Sequence, residues 1–144
     1  MTTLTQTWSE RGTLLPLRSK VKIGLLWALQ IGSAAMFLFA GSLKLGGAPQ
    51  MVEVFGAIGV GQWFRYLTGA IEMVSAATLL IPSTARFGAA ALALTMMGAI
   101  VTHLFIIGGS PAIPILLLAS TSTIAWARRK GNERPDRRLS SSMM

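Results

Sequence analysis

Four apolar stretches, separated by polar or glycine-rich breaks, organise this chain. They run from Ile23 to Leu43 (IGLLWALQIGSAAMFLFAGSL), Trp63 to Ile81, Phe87 to Ile107 and, shorter, Ala112 to Trp126. A helix needs about 20 consecutive apolar residues to cross the hydrocarbon core. The pattern therefore predicts an all-α protein, an integral membrane four-transmembrane-helix bundle. The breaks agree with it. PSTAR at 82–86 is too short for anything but an antiparallel hairpin. Gly108, Gly109, Ser110 and Pro111 stop the third stretch, and Pro114 lies near the start of the fourth, where a helix tolerates proline. Between the first two spans, Met51, Phe55 and Ile58 fall at i, i+4 and i+7, the spacing of a short helix lying on the outer interface.

Three segments follow: a basic N-terminal segment (1–22), the membrane domain (23–126) and a basic, serine-rich tail (127–144) expected to be disordered. The first apolar run is about twice a signal-peptide core and follows a long polar lead, so a retained span is expected and not a cleaved leader.

Charge gives the orientation. Of the 13 Lys and Arg residues, all but Lys44 and Arg65 lie in the two terminal segments or at Arg86 in the second loop. The positive-inside rule then puts both termini in the cytoplasm, as four spans require. The net charge of +8 collects at the chain ends and forms no binding face, so the expected partner is the lipid bilayer and not nucleic acid. With 52% hydrophobic and 12% charged residues, against roughly 25% charged in ordinary globular proteins, the composition excludes a soluble enzyme. The lack of cysteine excludes disulfides, CxxC redox chemistry and iron–sulfur ligation, and one histidine makes a resident metal or haem centre a poor expectation.

Glu72 is the main chemical clue. It lies nine residues beyond Trp63, about 13 Å along a helix, among Ala70, Ile71, Met73 and Val74. An ionised carboxylate at that depth costs several kcal/mol unless paired or protonated, which marks it as a functional candidate. Its helical face reads Arg65, Thr68, Gly69, Glu72, Ser75, Ala76, a small and polar stripe expected to turn into the bundle. A structural ion pair and a proton- or ligand-binding group are both open readings. Lys44 ends the first span, where a lysine usually snorkels to the headgroups. An inward bend to Glu72 must overcome a backbone offset of about 13 Å if the spans are untilted. Arg65, two turns from Glu72, competes for the same carboxylate. His103 lies about 6 Å below the outer end of the third span. A lone histidine is more often a hydrogen-bonded core residue than a ligand. Still, Lys44, Arg65, Glu72 and His103 all fall in the outer half and together would line one polar pocket. Arg86 reads as an inner-interface anchor.

Gly32 with Met36, Ala40 with Gly41, and Ala85, Ala89 and Ala93 offer small faces for close helix approach, and leave room for a homo-oligomer. Ser120 to Thr123 can bond their own helix carbonyls. No phosphate-binding loop, nucleophile elbow or dinucleotide fingerprint is present.

The order of these features resembles the DoxX-like family of bacterial four-helix membrane proteins. The resemblance rests on FLFAGSLKL closing the first span (Phe37, Phe39, Gly41, Lys44), the GAIGVG loop, and TGAIEMV with Gly69 and Glu72. PSTAR then opens the third span with Pro82, Ala85 and Arg86, which continues to THL at His103. It covers roughly residues 23–126 and implies a multi-pass protein of the bacterial cytoplasmic (inner) membrane. In some relatives it implies a membrane subunit of a quinone-linked oxidoreductase assembly. Lys44, Glu72 and His103 are the positions it singles out. The missing cysteines depart from relatives that relay thiol electrons.

The leading expectation is a membrane subunit or anchor of a redox assembly, not a free-standing enzyme. It has no intrinsic cofactor; quinone is the candidate ligand, and electrons come from an oxidoreductase partner. The alternatives are a small proton-coupled transporter built on Glu72, and a non-catalytic membrane chaperone or assembly factor in which Glu72 only clips helices together.

Overall fold

Helices account for nearly all of the described backbone. The computed structural model describes residues 6–131, with side chains described for 20–129. It contains five α-helices among the described residues: α1 (Gln6–Leu45), α2 (Pro49–Ile58), α3 (Gln62–Leu79), α4 (Ala85–Thr102) and α5 (Ala112–Gly131). Five residues of π-helix, His103–Ile107, carry α4 on to Gly108.

Two of these helices, over Lys20–Leu45 and Ala85–Ile107, are long and apolar enough to cross a membrane. A soluble core helix passes the same test but is mostly covered. Here only 22% and 11% of the two apolar windows are buried by the rest of the chain. The uncovered side chains include Ile23, Leu25, Phe39, Leu94 and Phe105. Such a surface suits hydrocarbon and not water.

The helices pack in antiparallel succession. α1 lies along α3, α3 turns into α4 through 80–84, and α4 pairs with α5, whose far end returns to α1. The shared core is Ala34 and Phe37 of α1, Ala76 and Leu79 of α3, Ala89, Leu92 and Met96 of α4, and Ile124 of α5. The expected face of α3 is the buried one: Arg65, Gly69, Glu72, Ser75 and Ala76, with Leu79 continuing it. Ala85 and Ala89 are fully buried as a small-residue seam should be. Gly32 is not part of such a seam, since nothing lies within 4 Å of a Cβ built there. Ser120, Thr121 and Thr123 bond the carbonyls of Leu116, Leu117 and Ala119 on their own helix.

Two boundaries differ from the sequence expectation. The basic lead is helical from Gln6, so no break separates it from the first span. The chain past Trp126, expected to be disordered, is helical as far as it is described: α5 continues to Gly131, and Arg128 packs onto α1. The remainder of the expected tail, 132–144, lies outside the described residues. The helix expected around Met51–Ile58 forms, with Phe55 buried edge-on against Phe64 of α3 at 5.9 Å between ring centres.

Candidate functional site

The site is built where α1 ends beside α3. Lys44 Nζ lies 2.8 Å from Glu72 Oε2, and the carboxylate is 1% exposed while the lysine side chain keeps 15%. The snorkelling position expected of a span-end lysine is therefore not the one adopted. The reason lies in two glycines. A Cβ on Gly69 would meet Lys44 Cβ at 3.0 Å, and one on Gly41 would meet Met73 Cγ at 2.9 Å. The backbones thus approach closely, with Lys44 level with Gly69 and not with Trp63. That shift is about 9 Å along α3, which leaves only one helical turn between Gly69 and Glu72. The remaining gap is within a lysine's reach.

Arg65 does not take the carboxylate. Its Nη1 donates to the backbone carbonyl of Lys44, and its Nε donates to Gln62 Oε1 at 2.8 Å. The guanidinium also lies 4.3 Å from the centre of the Tyr66 ring. The last carbonyls of a helix lack intrahelical donors and carry partial negative charge, so an arginine there is doubly favourable. The preceding carbonyls are met within the turn: Gly46 N–H donates to Ser42 O at 2.8 Å and Ala48 N–H to Leu43 O at 3.0 Å. Gly47 makes that turn with φ +73°. A side chain there would be strained by the left-handed backbone, beside the Arg65 guanidinium. Arg65 thus fixes the end of α1, and the end of α1 aims Lys44 at Glu72.

Gln62 links this cluster to α2, because its Nε2 donates to Val52 O at 3.0 Å while its Oε1 accepts from Arg65. It escaped the sequence reading, where it looked like loop.

His103 stands apart from the other three candidates. Its Nδ1 lies 2.9 Å from Ala99 O on its own helix, so that nitrogen carries the proton in this arrangement. No hydrogen bond or ion pair joins it to Lys44, Glu72 or Arg65 among the described residues. The structure therefore gathers three of the four candidate residues into one connected cluster.

A second polar junction lies at the other end of the bundle. Gln30, fully buried, donates from Nε2 to Leu79 O at 2.7 Å. Its Oε1 accepts from Arg128 of α5, with Nε at 3.1 Å and Nη2 also in contact. The signal for Gln30 was available, since it is the one amide inside the first apolar run.

With this geometry in view, the comparisons with known proteins decide the family. The DoxX-like family model matches residues 28–126, more than half of the chain. The chain belongs to the DoxX-like family. With its two membrane-capable helices, it is a membrane protein of that family. No curated protein and no solved structure matches the chain. The matched span contains Lys44, Arg65, Glu72 and His103, and also the Gln30–Arg128 junction except Arg128 itself.

Proposed function

We propose that this DoxX-like protein is a four-span, inner-membrane subunit of a redox assembly. In this reading the cluster around Glu72 receives the polar head of a membrane-soluble quinone. The observation that carries the reading is the buried Lys44–Glu72 pair with its exposed edge on the lysine. A quinone needs an apolar slot with a few polar groups at its carbonyl oxygens. Lys44 presents three N–H donors, of which Glu72 engages one. The chemistry of the donor set fits a carbonyl or developing oxyanion, because Lys44 and Arg65 outweigh the single carboxylate by one positive charge.

In this reading Lys44 donates a hydrogen bond to the carbonyl oxygen, Glu72 holds the lysine aimed, and Arg65 fixes the backbone that carries it. Electrons come from a partner oxidoreductase, since the chain has no cysteine and its described residues form no cluster of metal-ligating side chains. Positive-inside charge supports cytoplasmic termini, with the cluster in the outer half of the bundle.

A second reading, a non-catalytic assembly factor, draws support from the same pair, because Lys44 and Glu72 clip α1 to α3. The proton-coupled transporter draws less, since Glu72 is already engaged by a cation and Arg65 adds positive charge nearby.

Gentle solubilisation and mass spectrometry of the intact native complex tests the proposal. A co-purifying oxidoreductase or quinone is the expected result. A bare homo-oligomer carrying only lipid overturns the redox reading. In membranes that contain the partner, Glu72→Gln is expected to slow quinol turnover. Unchanged turnover removes the site from the redox chemistry.

A further inference from the structure

At the end of the bundle opposite the Glu72 cluster, a cavity of about 280 Å³ opens between α4 and α5, lined by Arg86, Phe87, Ala90, Ala125 and Arg129. Two of its five lining residues are arginines and none is acidic. Arg86 Nε is buried and has no hydrogen-bond partner. The same guanidinium lies 4.4 Å from the centre of the Phe87 ring, a cation–π distance. At the start of α4, Ala85 N–H is taken by Ile81 O, and Phe87 and Gly88 N–H by Thr84 O. The two arginine side chains are the charged donors of the groove.

We infer that this groove binds the phosphate of an anionic phospholipid headgroup. A guanidinium with an unused N–H, facing a second arginine across a gap, asks for a multivalent oxyanion acceptor. A lipid and not a free phosphate follows from what adjoins the groove. Phe87, Leu94, Met97 and Val101 are exposed and share one face of α4. From Phe87 to Val101 this track runs about 21 Å along the helix, away from the groove, where an acyl chain attached to the bound headgroup would lie.

The test is native mass spectrometry of the full-length protein in mild detergent, titrated with phosphatidylglycerol or with phosphatidylcholine of the same acyl chains. Preferential retention of phosphatidylglycerol is expected. Arg86→Gln and Arg129→Gln should each weaken it about 5-fold, and the pair about 30-fold. Arg129 is exposed, so its variant folds even if Arg86→Gln does not. Lys22→Gln removes one charge from the same end outside the groove and should leave retention unchanged. An equal loss with Lys22→Gln, or undiminished retention in the double variant, overturns the site. Inorganic phosphate that binds as tightly as the lipid, with the same arginine dependence, overturns the lipid assignment.

Discussion

Gly69 of α3 lies against Lys44 of α1, so closely that a Cβ on the glycine would sit 3.0 Å from the lysine Cβ. This contact sets the depth at which Lys44 enters the bundle. It turns a residue that ends a span into the partner of a buried carboxylate 2.8 Å away. Helix register, not side-chain length, makes the pair.

Glycine substitutions should therefore separate into two groups. Gly69→Ala forces Lys44 Cβ and Leu45 away, and Gly88→Ala places a Cβ 2.6 Å from the Ser75 carbonyl oxygen and into the Thr78 hydroxyl. Lys44 Cβ and the Ser75 carbonyl oxygen are not moved by a rotamer change, so each substitution is expected to cost about 1–3 kcal/mol. Gly41→Ala should fall between the two groups, because the Met73 side chain at 2.9 Å can shift but the Gly69 carbonyl oxygen at 3.1 Å cannot rotate away. Gly24→Ala and Gly32→Ala meet nothing within 4 Å and gain helix propensity, so they should be neutral or stabilising. Thermal unfolding in detergent ranks all five. A Gly88→Ala variant as stable as Gly32→Ala contradicts the α3–α4 packing.

The Lys44–Glu72 pair makes a prediction through its double variant. Removing one partner strands a buried charge, which costs about 3–5 kcal/mol, whereas replacing both by apolar residues of similar volume is close to neutral. Lys44→Met with Glu72→Leu should therefore melt above Lys44→Met alone and above Glu72→Leu alone. The double variant also divides the two functional readings. If the pair is only a clip, the stable double variant supports normal assembly and turnover. If Lys44 meets a ligand, the double variant folds and loses turnover.

Much of this was visible in the sequence, for reasons that can be named. The buried stripe of α3 follows from helical periodicity through Arg65, Gly69, Glu72 and Ala76, and α2 follows from Met51, Phe55 and Ile58. The Lys44–Glu72 contact was only half visible. Sequence marks Gly41 and Gly69 as small, but it does not say how far one helix slides along the other. That sliding decides whether Lys44 snorkels or turns inward. The Gln30–Arg128 contact was hidden for another reason. The two residues are 98 positions apart, and Arg128 looked like the first charge of a solvated tail. A single buried amide announces that it has a partner without saying which.

Gln30→Leu should consequently reach further than its own helix. It removes the donor to Leu79 O at the end of α3 and the acceptor for Arg128 on α5. Leaving such groups unpaired costs about 1–3 kcal/mol. Hydrogen exchange should rise in the last turns of both helices, around 76–80 and 125–131. Arg128→Gln should loosen only α5. Equal exchange patterns in the two variants would refute the role of Gln30 as a joint between three helices.

The number of spans can be read by thiol labelling, because the chain has no cysteine to give background. Single cysteines at Gln50, Ser83, Ser110 and Ser142 sample α2, the α3–α4 turn, the α4–α5 turn and the tail segment in order. With four spans and cytoplasmic termini, a membrane-impermeant reagent added to intact cells labels Gln50→Cys and Ser110→Cys, and spares Ser83→Cys and Ser142→Cys. If only α1 and α4 cross, α2 and α3 both stay outside and α4 brings the chain back in. Ser83→Cys is then labelled and Ser110→Cys protected, while the other two positions behave as before. The four-span reading therefore rests on the contrast between Ser83 and Ser110. Burial strengthens the expectation for four. Glu72 and Arg65 on α3 face the other helices, leaving Trp63, Leu67, Ile71 and Val74 as the exposed side of that helix. An apolar outer face of this kind is suited to lipid, so α3 is expected to cross with its charges turned inward and Ser83 on the cytoplasmic side.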